Sequence, residues 1–277
     1  MLGALIIVFR EAIEAGLIVG IVLAVTRGVA GSRSFVAAGV SAGALGAVIV
    51  AAFADRLSQA FAGAGQEVFN AAILALAVVM LVWHNIWMAQ HGRELAQNLS
   101  EVGRAVARGE ETLFALTAVV GLAVLREGAE VALFLYGILA SGESGWDVFA
   151  GGIAGRALGA ATSFATFYGL VAIPAKRLFA VTTWLITLLA AGLAAQCVAF
   201  LQQAGLITSL SDTAWDTSWL LSDKSIVGRV LHTLIGYAEQ PSAMQVVVYI
   251  GTLVAIVAAT KFFAARHPSP AVRAPAE

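Results

Sequence analysis

The strongest constraint on the fold is a series of seven apolar stretches, each about as long as a membrane-spanning helix. The hydrocarbon core of a bilayer is about 30 Å thick, so a helix needs about 20 apolar residues to cross it. Only 12% of the residues are charged, against about 25% in a soluble domain. The long Ala, Val, Leu and Gly runs lack the alternation of β-barrel strands. The sequence therefore predicts an all-α integral membrane protein with seven transmembrane spans, near residues 2–26, 35–54, 67–89, 113–140, 147–172, 178–203 and 243–264.

Lysine and arginine residues predict the orientation, because cytoplasmic loops are enriched in them. Ten follow spans one, three, five and seven: Arg27, Arg33, Arg93, Arg104, Arg108, Lys176, Arg177, Lys261, Arg266 and Arg273. Three follow spans two and six: Arg56, Lys224 and Arg229. We therefore predict that the N terminus lies outside and the C terminus lies in the cytoplasm. The formal net charge of −1 gives no indication of a nucleic-acid partner, and we expect none.

The first half of the chain resembles the second half at an offset of 116 residues. "VFREAIEAGLIVGIVLA" at 8–24 aligns with "VLREGAEVALFLYGILA" at 124–140, and the G-x-x-x-G pattern at Gly39 and Gly43 recurs at Gly155 and Gly159. Because each repeat has three spans, an odd number, the second copy crosses the membrane in the opposite direction to the first. Inverted repeats of this kind are typical of transporters. We expect one transmembrane domain over 1–264, made of repeat one 1–89, a cytoplasmic linker 90–112, repeat two 113–203, an outer connection 204–242 and span seven 243–264. The cytoplasmic tail 265–277 is predicted to be disordered.

Spans one and four each contain the motif R-E-x-x-E. On a helix, the two glutamates of each motif share a face, and each arginine lies one turn before the second glutamate. If the two spans pack together, four carboxylates and two guanidinium groups meet near the middle of the membrane. Each unpaired charge there costs about 2.5–3.5 kcal/mol even on the more lenient scale. The motifs supply four candidate metal ligands and two supporting arginines: Glu11, Glu14, Glu127, Glu130, Arg10 and Arg126.

Carboxylate oxygens suit hard cations such as Mg²⁺, Ca²⁺, Mn²⁺ or ferric iron. The four glutamates and two arginines carry a net charge of −2, which balances a divalent ion and leaves a trivalent ion one positive charge in excess. This count does not choose between ferrous and ferric iron. The alternative is an ion-pair lock between two helices that binds no ligand. The presence of the motif in both inverted repeats favours the cation site.

R-E-x-x-E in the first and fourth of seven spans resembles the oxidase-linked high-affinity iron permease family, which includes fungal permeases and bacterial EfeU-type transporters. "AAGLAAQCVAFLQQAGL" in span six and "LSDKSIVGRVLHTLIGYAEQPS" before span seven also resemble the bacterial members. The resemblance implies a permease of the bacterial inner membrane that moves Fe²⁺ or Fe³⁺ into the cytoplasm on the motif glutamates. Iron would be the transported substrate, and no cofactor would be permanently bound. An extracytoplasmic redox or iron-delivery protein would be the partner, because the chain has no copper or haem motif.

Two other functions use the same residues. A transporter of another hard divalent cation such as Mn²⁺ fits the carboxylates equally well. An intramembrane di-metal carboxylate enzyme would use the glutamates as a redox centre, but such enzymes usually need Glu-x-x-His pairs, and neither motif contains a histidine. We therefore expect a transporter and not an enzyme.

Three further residues are candidates for the ends of the pathway. Asp55 and Glu67 lie at the predicted outer end of repeat one and would receive a cation at the entrance, although an acid at a helix N-terminus also interacts well with the dipole. His84 would be an exit ligand, but an interfacial position between Trp83 and Trp87 is favoured.

Two features outside the motifs predict details of the structure, an ion pair and a short helix. Arg156 lies inside span five, where a charged residue is expected to have a pairing partner. Trp215 and Trp219 are spaced i, i+4 in the connection 204–242, which predicts a short helix on the outer surface.

Overall fold

The chain is all-helical over the residues that the computed structural model describes, which are 1–60, 66–169, 175–223 and 225–266. In these ranges the helices are α1 (Leu2–Val25), α2 (Ser32–Ala60), α3 (Gln66–Ala107), α4 (Leu113–Ala140), α5 (Gly145–Phe167), α6 (Ala175–Gln203), α7 (Ile226–Ile235) and α8 (Ala243–Arg266). The side chain of Asp55 and nearly all of the predicted tail 265–277 lie outside the described part.

The helices follow the predicted spans closely, with one notable difference. α3 does not end near residue 89 but continues as one helix to Ala107, through most of the segment predicted to be a linker. Leu99 and Val106 in this extension are buried, so the extension packs on the bundle and is not a separate surface helix. Residues 170–172, the predicted end of span five, lie outside the described residues.

Four of the described helices contain a stretch that is long and apolar enough to cross a membrane: 32–53, 67–88, 180–203 and 243–262. α1 and α4 are as long as these, but each contains the three charged residues of its R-E-x-x-E motif. The fold is that of a membrane protein, and the charged motifs distinguish α1 and α4 from the other long helices.

The first two helices of each predicted repeat pack crosswise, α1 on α5 and α2 on α4. Small residues permit both contacts. A Cβ atom on Gly39 would lie 2.7 Å from the carbonyl oxygen of Thr117 and 3.2 Å from the amide nitrogen of Gly121, and one on Gly155 would overlap the carbonyl oxygen of Leu5. Gly39 and Gly155 differ by 116 residues, as do Leu5 and Gly121. The two crossings therefore use equivalent positions of the two halves.

Two apolar clusters lie on opposite sides of the charged motifs. The first apolar layer contains residues that precede the motif on α1 and follow it on α4, together with residues of α6: Ala4, Ile7, Phe134, Ile138, Ile186, Leu189 and Leu193. The second apolar layer contains residues that follow the motif on α1 and precede it on α4: Ile18, Val22, Leu116, Val120 and Val124. α1 and α4 are therefore antiparallel, with the charged residues between the two layers.

The connection between α6 and α8 is ordered by its own hydrogen bonds. The backbone amide of Asp223 donates to the Glu239 carboxylate (3.0 Å), and the amide of Glu239 donates to the Asp223 carboxylate (3.1 Å). α7 ends at Ile235, and the next residue, Gly236, adopts a left-handed conformation (φ 68°) that favours glycine. The predicted helix at Trp215 and Trp219 is wrong, because this segment forms a turn and an adjoining isolated bridge, Thr213 to Ser242.

Candidate metal centre

The first motif places an arginine against both of its glutamates on α1. The Nη1 atom of Arg10 lies 3.3 Å from Oε1 of Glu11, and Nη2 lies 3.0 Å from Oε1 of Glu14. All three side chains are at most 3% exposed. The second oxygen of each carboxylate has no hydrogen-bond donor among the described residues. One guanidinium group thus orients two buried carboxylates and leaves one oxygen of each available to a further cation.

The second motif repeats this arrangement on α4 with a less buried arginine. Nε of Arg126 lies 3.2 Å from Oε1 of Glu130 and 3.6 Å from Oε1 of Glu127. The Arg126 guanidinium also stacks 4.3 Å above the ring of Trp87 and donates to the sulfur of Met88. Arg126 is therefore held from two sides, by its own glutamates and by α3.

His84 of α3 lies between the two motifs. Its Nδ1 contacts Oε2 of Glu130, and its Nε2 lies 3.8 Å from Oε2 of Glu11 and 3.7 Å from Oε2 of Glu14. The residue is buried (5% exposed), so the favoured interfacial position was wrong for His84, although its neighbour Trp83 is 70% exposed. The imidazole therefore belongs to the same cluster as the glutamates.

Four potential ligands converge from three helices. One ligand atom from each of Glu11, His84, Glu127 and Glu130 lies within 4.8 Å of every other. Both carboxylate oxygens of Glu127 and Nε2 of His84 are buried without a hydrogen-bond partner among the described residues. Buried polar groups are normally satisfied, and a carboxylate is costly to bury unpaired. A bound cation would satisfy these atoms together.

The cluster has the charge and the donor types of a site for a divalent transition metal. Four carboxylates and two guanidinium groups sum to −2 with a neutral imidazole, which one divalent ion would balance. Carboxylates suit hard cations, whereas imidazole suits iron, zinc and copper. His84 therefore shifts the preference of the donor set away from Mg²⁺ and Ca²⁺ and toward transition metals such as iron, zinc and copper.

Glu67 and Arg156 are not part of this cluster. Glu67 is exposed in the first turn of α3, where the helix dipole favours an acid. Arg156 is exposed in the middle of α5, and it forms no ion pair with a described residue. The pairing expected for Arg156 is thus not found within the described part of the chain.

Asn85 is a buried polar residue that the sequence analysis missed. It is 6% exposed, and neither atom of its amide has a hydrogen-bond partner among the described residues. It follows His84 directly on α3. The signal in the sequence was the pair of polar residues within an otherwise apolar span, which is the same signal that identified the glutamate motifs.

Comparison with known proteins identifies the family. Residues 1–266 match the iron permease FTR1 family, and the chain belongs to it. The chain is 31% identical over 247 residues to the ferrous iron permease EfeU of Escherichia coli O6:H1, with 88% of this chain and 89% of that protein covered. It is 31% identical over 198 residues to the ferrous iron permease EfeU of Shigella flexneri, with 71% of this chain and 84% of that protein covered. No solved structure matches the chain significantly.

Proposed function

We propose that this member of the FTR1 family carries ferrous iron into the cytoplasm of a bacterium through the buried cluster between α1, α3 and α4. The observation that supports it best is the convergence of Glu11, His84, Glu127 and Glu130 within 4.8 Å. Glu14 supplies the fourth carboxylate at the edge of this site, close to Nε2 of His84. The site is split between the two repeats, as expected for a transporter whose halves move relative to each other.

The two arginines hold the glutamates for the ion and do not bind it. Each guanidinium group lies beside two carboxylates of its own helix, which offsets part of their negative charge and fixes the direction of their remaining oxygens. Without the arginines, four carboxylates would repel one another in a medium of low dielectric constant. With them, the net charge is −2, and one Fe²⁺ neutralises the site.

The two apolar layers close the site on both sides. The first layer separates it from the face of the bundle that carries the connection 204–242, and the second layer separates it from the opposite face. From the distribution of lysine and arginine we assign the first face to the outside and the second to the cytoplasm. Transport then requires each layer to part in turn, by movement of one inverted repeat against the other.

The relatives favour ferrous over ferric iron, whereas the charge count alone does not choose between the two ions. The relatives are named as ferrous iron permeases. Because ferrous iron is rare where oxygen is present, we propose that an extracytoplasmic redox or iron-delivery protein supplies it. Mn²⁺ has the same charge and remains the competing substrate.

Iron uptake into proteoliposomes tests this function. Vesicles containing the wild type are offered Fe²⁺ under anaerobic conditions, chelated Fe³⁺, or Fe²⁺ with excess Mn²⁺, and iron inside is measured with an internal chelating dye. We expect uptake of Fe²⁺, little uptake of Fe³⁺ and weak competition by Mn²⁺.

The variant Glu127→Gln keeps the size of the side chain and removes its charge, and it should abolish this uptake. Glu94→Gln changes an exposed glutamate of α3 and is the matched control. Uptake by Glu127→Gln at the wild-type rate would show that the path lies elsewhere. Complete inhibition by Mn²⁺ would assign the transporter to that ion.

A further inference from the structure

Two cavities with mostly apolar walls and a few polar side chains lie beside the first apolar layer. A cavity of about 220 Å³ is lined by α6, α7, α8 and the connection 204–242, and a smaller one of about 30 Å³ is lined by residues of α4, α6 and α7. Both are lined by Gly192, Gln196, His232 and Gly236, so the two cavities are adjacent. The smaller cavity is also lined by Ile138, Leu189 and Leu193, which belong to the first apolar layer. The first apolar layer therefore borders the smaller cavity.

His232 lines both cavities, and one of its ring nitrogens is held by a backbone carbonyl oxygen. Its Nδ1 lies 2.6 Å from the backbone carbonyl oxygen of Tyr237, and because a carbonyl can only accept, Nδ1 is the donor. In the neutral ring Nε2 then carries the lone pair. Histidines that bind metals are commonly oriented in this way, with the other ring nitrogen donating to a backbone carbonyl or carboxylate.

Further oxygen donors line the smaller cavity. The residues Gln196, Ser141 and Glu143 line it together with His232, and one oxygen of the Glu143 carboxylate also pairs with the N-terminal amino group at 2.9 Å. Ser141 donates its proton to the carbonyl oxygen of Ile138 at 2.7 Å, so its lone pairs remain as acceptors. Gln196 forms no side-chain hydrogen bond with a described residue. One imidazole nitrogen and three oxygen donors are a donor set that suits a divalent transition metal.

The wall of the cavity is preformed. Gly192 and Gly236 are in backbone contact, and a Cβ atom on Gly192 would lie 2.8 Å from the Cα atom of Gly236. The reciprocal hydrogen bonds between Asp223 and Glu239 hold the connection that roofs the space. Asp216 accepts hydrogen bonds from Ser218 and Gln240. A ligand would therefore meet an ordered pocket.

We propose that this cavity is a second divalent-cation site, in which Nε2 of His232 and the side chains of Gln196, Ser141 and Glu143 receive the ion before it passes the first apolar layer. We call it the reception site. The inference rests on the proposed function for the identity of the ion, ferrous iron, whereas the site itself is defined by its own residues.

The number of Fe²⁺ ions bound per chain tests the reception site. The full chain in detergent is dialysed to equilibrium against Fe²⁺ under anaerobic conditions, and bound iron is measured. We expect two ions for the wild type, one for His232→Asn, one for Glu127→Gln and none for the double variant. His232→Asn is chosen because the amide of asparagine can replace the Nδ1 donor to Tyr237 while Nε2 is lost.

Two further variants distinguish the loss of a metal ligand from a general structural effect of the substitution. His91→Asn is the matched control. Nδ1 of His91 also lies near a backbone carbonyl oxygen, that of Trp87 at 3.2 Å, but His91 lines neither cavity. The His91→Asn protein should therefore bind two ions. Gln196→Glu adds a carboxylate and should tighten the binding of the second ion about tenfold, an effect that a structural role does not predict.

Two ions bound by His232→Asn, or unchanged affinity in Gln196→Glu, would overturn the reception site and leave the proposed function intact. Two ions bound by Glu127→Gln, with one lost in His232→Asn, would instead overturn the central site.

Discussion

Nδ1 of His84 contacts Oε2 of Glu130, while Nε2 of the same ring faces the glutamates of α1. A single imidazole on α3 therefore connects the two motifs. The distances from Nε2 to Glu11 and Glu14, 3.8 and 3.7 Å, are too long for hydrogen bonds. They leave room for a small ion that would bind the ring and the carboxylates at the same time.

The first prediction concerns His84 as a ligand. Replacing it by asparagine keeps a donor near Glu130 and removes Nε2, so the affinity for Fe²⁺ should fall by at least about tenfold. Loss of an outer-shell partner of a metal site already lowers the metal affinity by about that factor, and loss of a direct ligand should lower it at least as much. Iron binding by the purified protein measures the effect. His91→Asn, two helical turns further along α3, should bind iron like the wild type. Equal affinity in His84→Asn and the wild type would show that the ring serves only as a spacer between the helices.

The second prediction contrasts Glu127 with Glu14. Both oxygens of Glu127 lack a hydrogen-bond donor among the described residues, and Nε of Arg126 lies 3.6 Å from Oε1. Glu127→Gln therefore removes a buried charge that is only weakly paired and should leave the iron-free protein as stable as the wild type or more so. Glu14 pairs with Arg10 at 3.0 Å, so Glu14→Gln deprives a buried cation of one partner and should cost up to about 3–5 kcal/mol. Thermal unfolding in detergent, with and without Fe²⁺, measures both effects.

In the same unfolding experiment, Fe²⁺ should raise the melting temperature of the wild type, because a ligand that binds only the native state stabilises it. It should raise that of Glu127→Gln less, because only the reception site still binds the ion in this variant. A Glu127→Gln protein that is much less stable than Glu14→Gln without iron would contradict the assignment of these roles.

The third prediction concerns the two arginines. Arg10 is 3% exposed and pairs with two buried glutamates, so Arg10→Gln should destabilise the protein by about 3–5 kcal/mol. Arg126 is 32% exposed and also stacks on Trp87, an interaction that contributes about 0.5–2 kcal/mol. Arg126→Gln should therefore be the milder change for stability.

Both arginine variants should nevertheless reduce iron uptake, since each loses the group that orients its glutamates. Uptake assays on the folded fractions test this point. Normal uptake by both variants would mean that the glutamates are positioned without the arginines.

Much of the fold could be predicted because it depends on local properties. Apolar runs of about 20 residues determine where helices form in a membrane protein, and the helices observed here begin and end near the predicted residues. The exceptions are α7, which lies in the predicted outer connection, and α3, which continues to Ala107. Its extension has a mixed composition, and its burial depends on Leu99 and Val106 packing against other helices, which local composition does not reveal.

The site could be predicted in part for the same reason. The spacing of R-E-x-x-E places each arginine beside the second glutamate of its motif, and the structure has these pairs at 3.0 and 3.2 Å. The position of His84 depends instead on how α3 is rotated against α1 and α4. Its neighbours Trp83 and Trp87 favour a position at the membrane interface. A sequence shows that a residue is polar, but it does not show which face of its helix is buried.

The last prediction tests the crosswise packing of the repeats. Gly39→Ala and Gly155→Ala should each destabilise the protein by about 1–3 kcal/mol, because the added methyl group would overlap the backbone of the facing helix. Gly251→Ala in α8 is the matched control: nothing lies within 4 Å of the new atom, and alanine should be neutral or stabilising by about 0.5–1 kcal/mol. Thermal unfolding of the three variants in detergent gives the comparison. Equivalent losses at Gly39 and Gly155 are expected, since the two positions make corresponding contacts in the two halves. A loss at Gly251 as large as at Gly155 would show that these glycines are sensitive for a reason other than helix crossing.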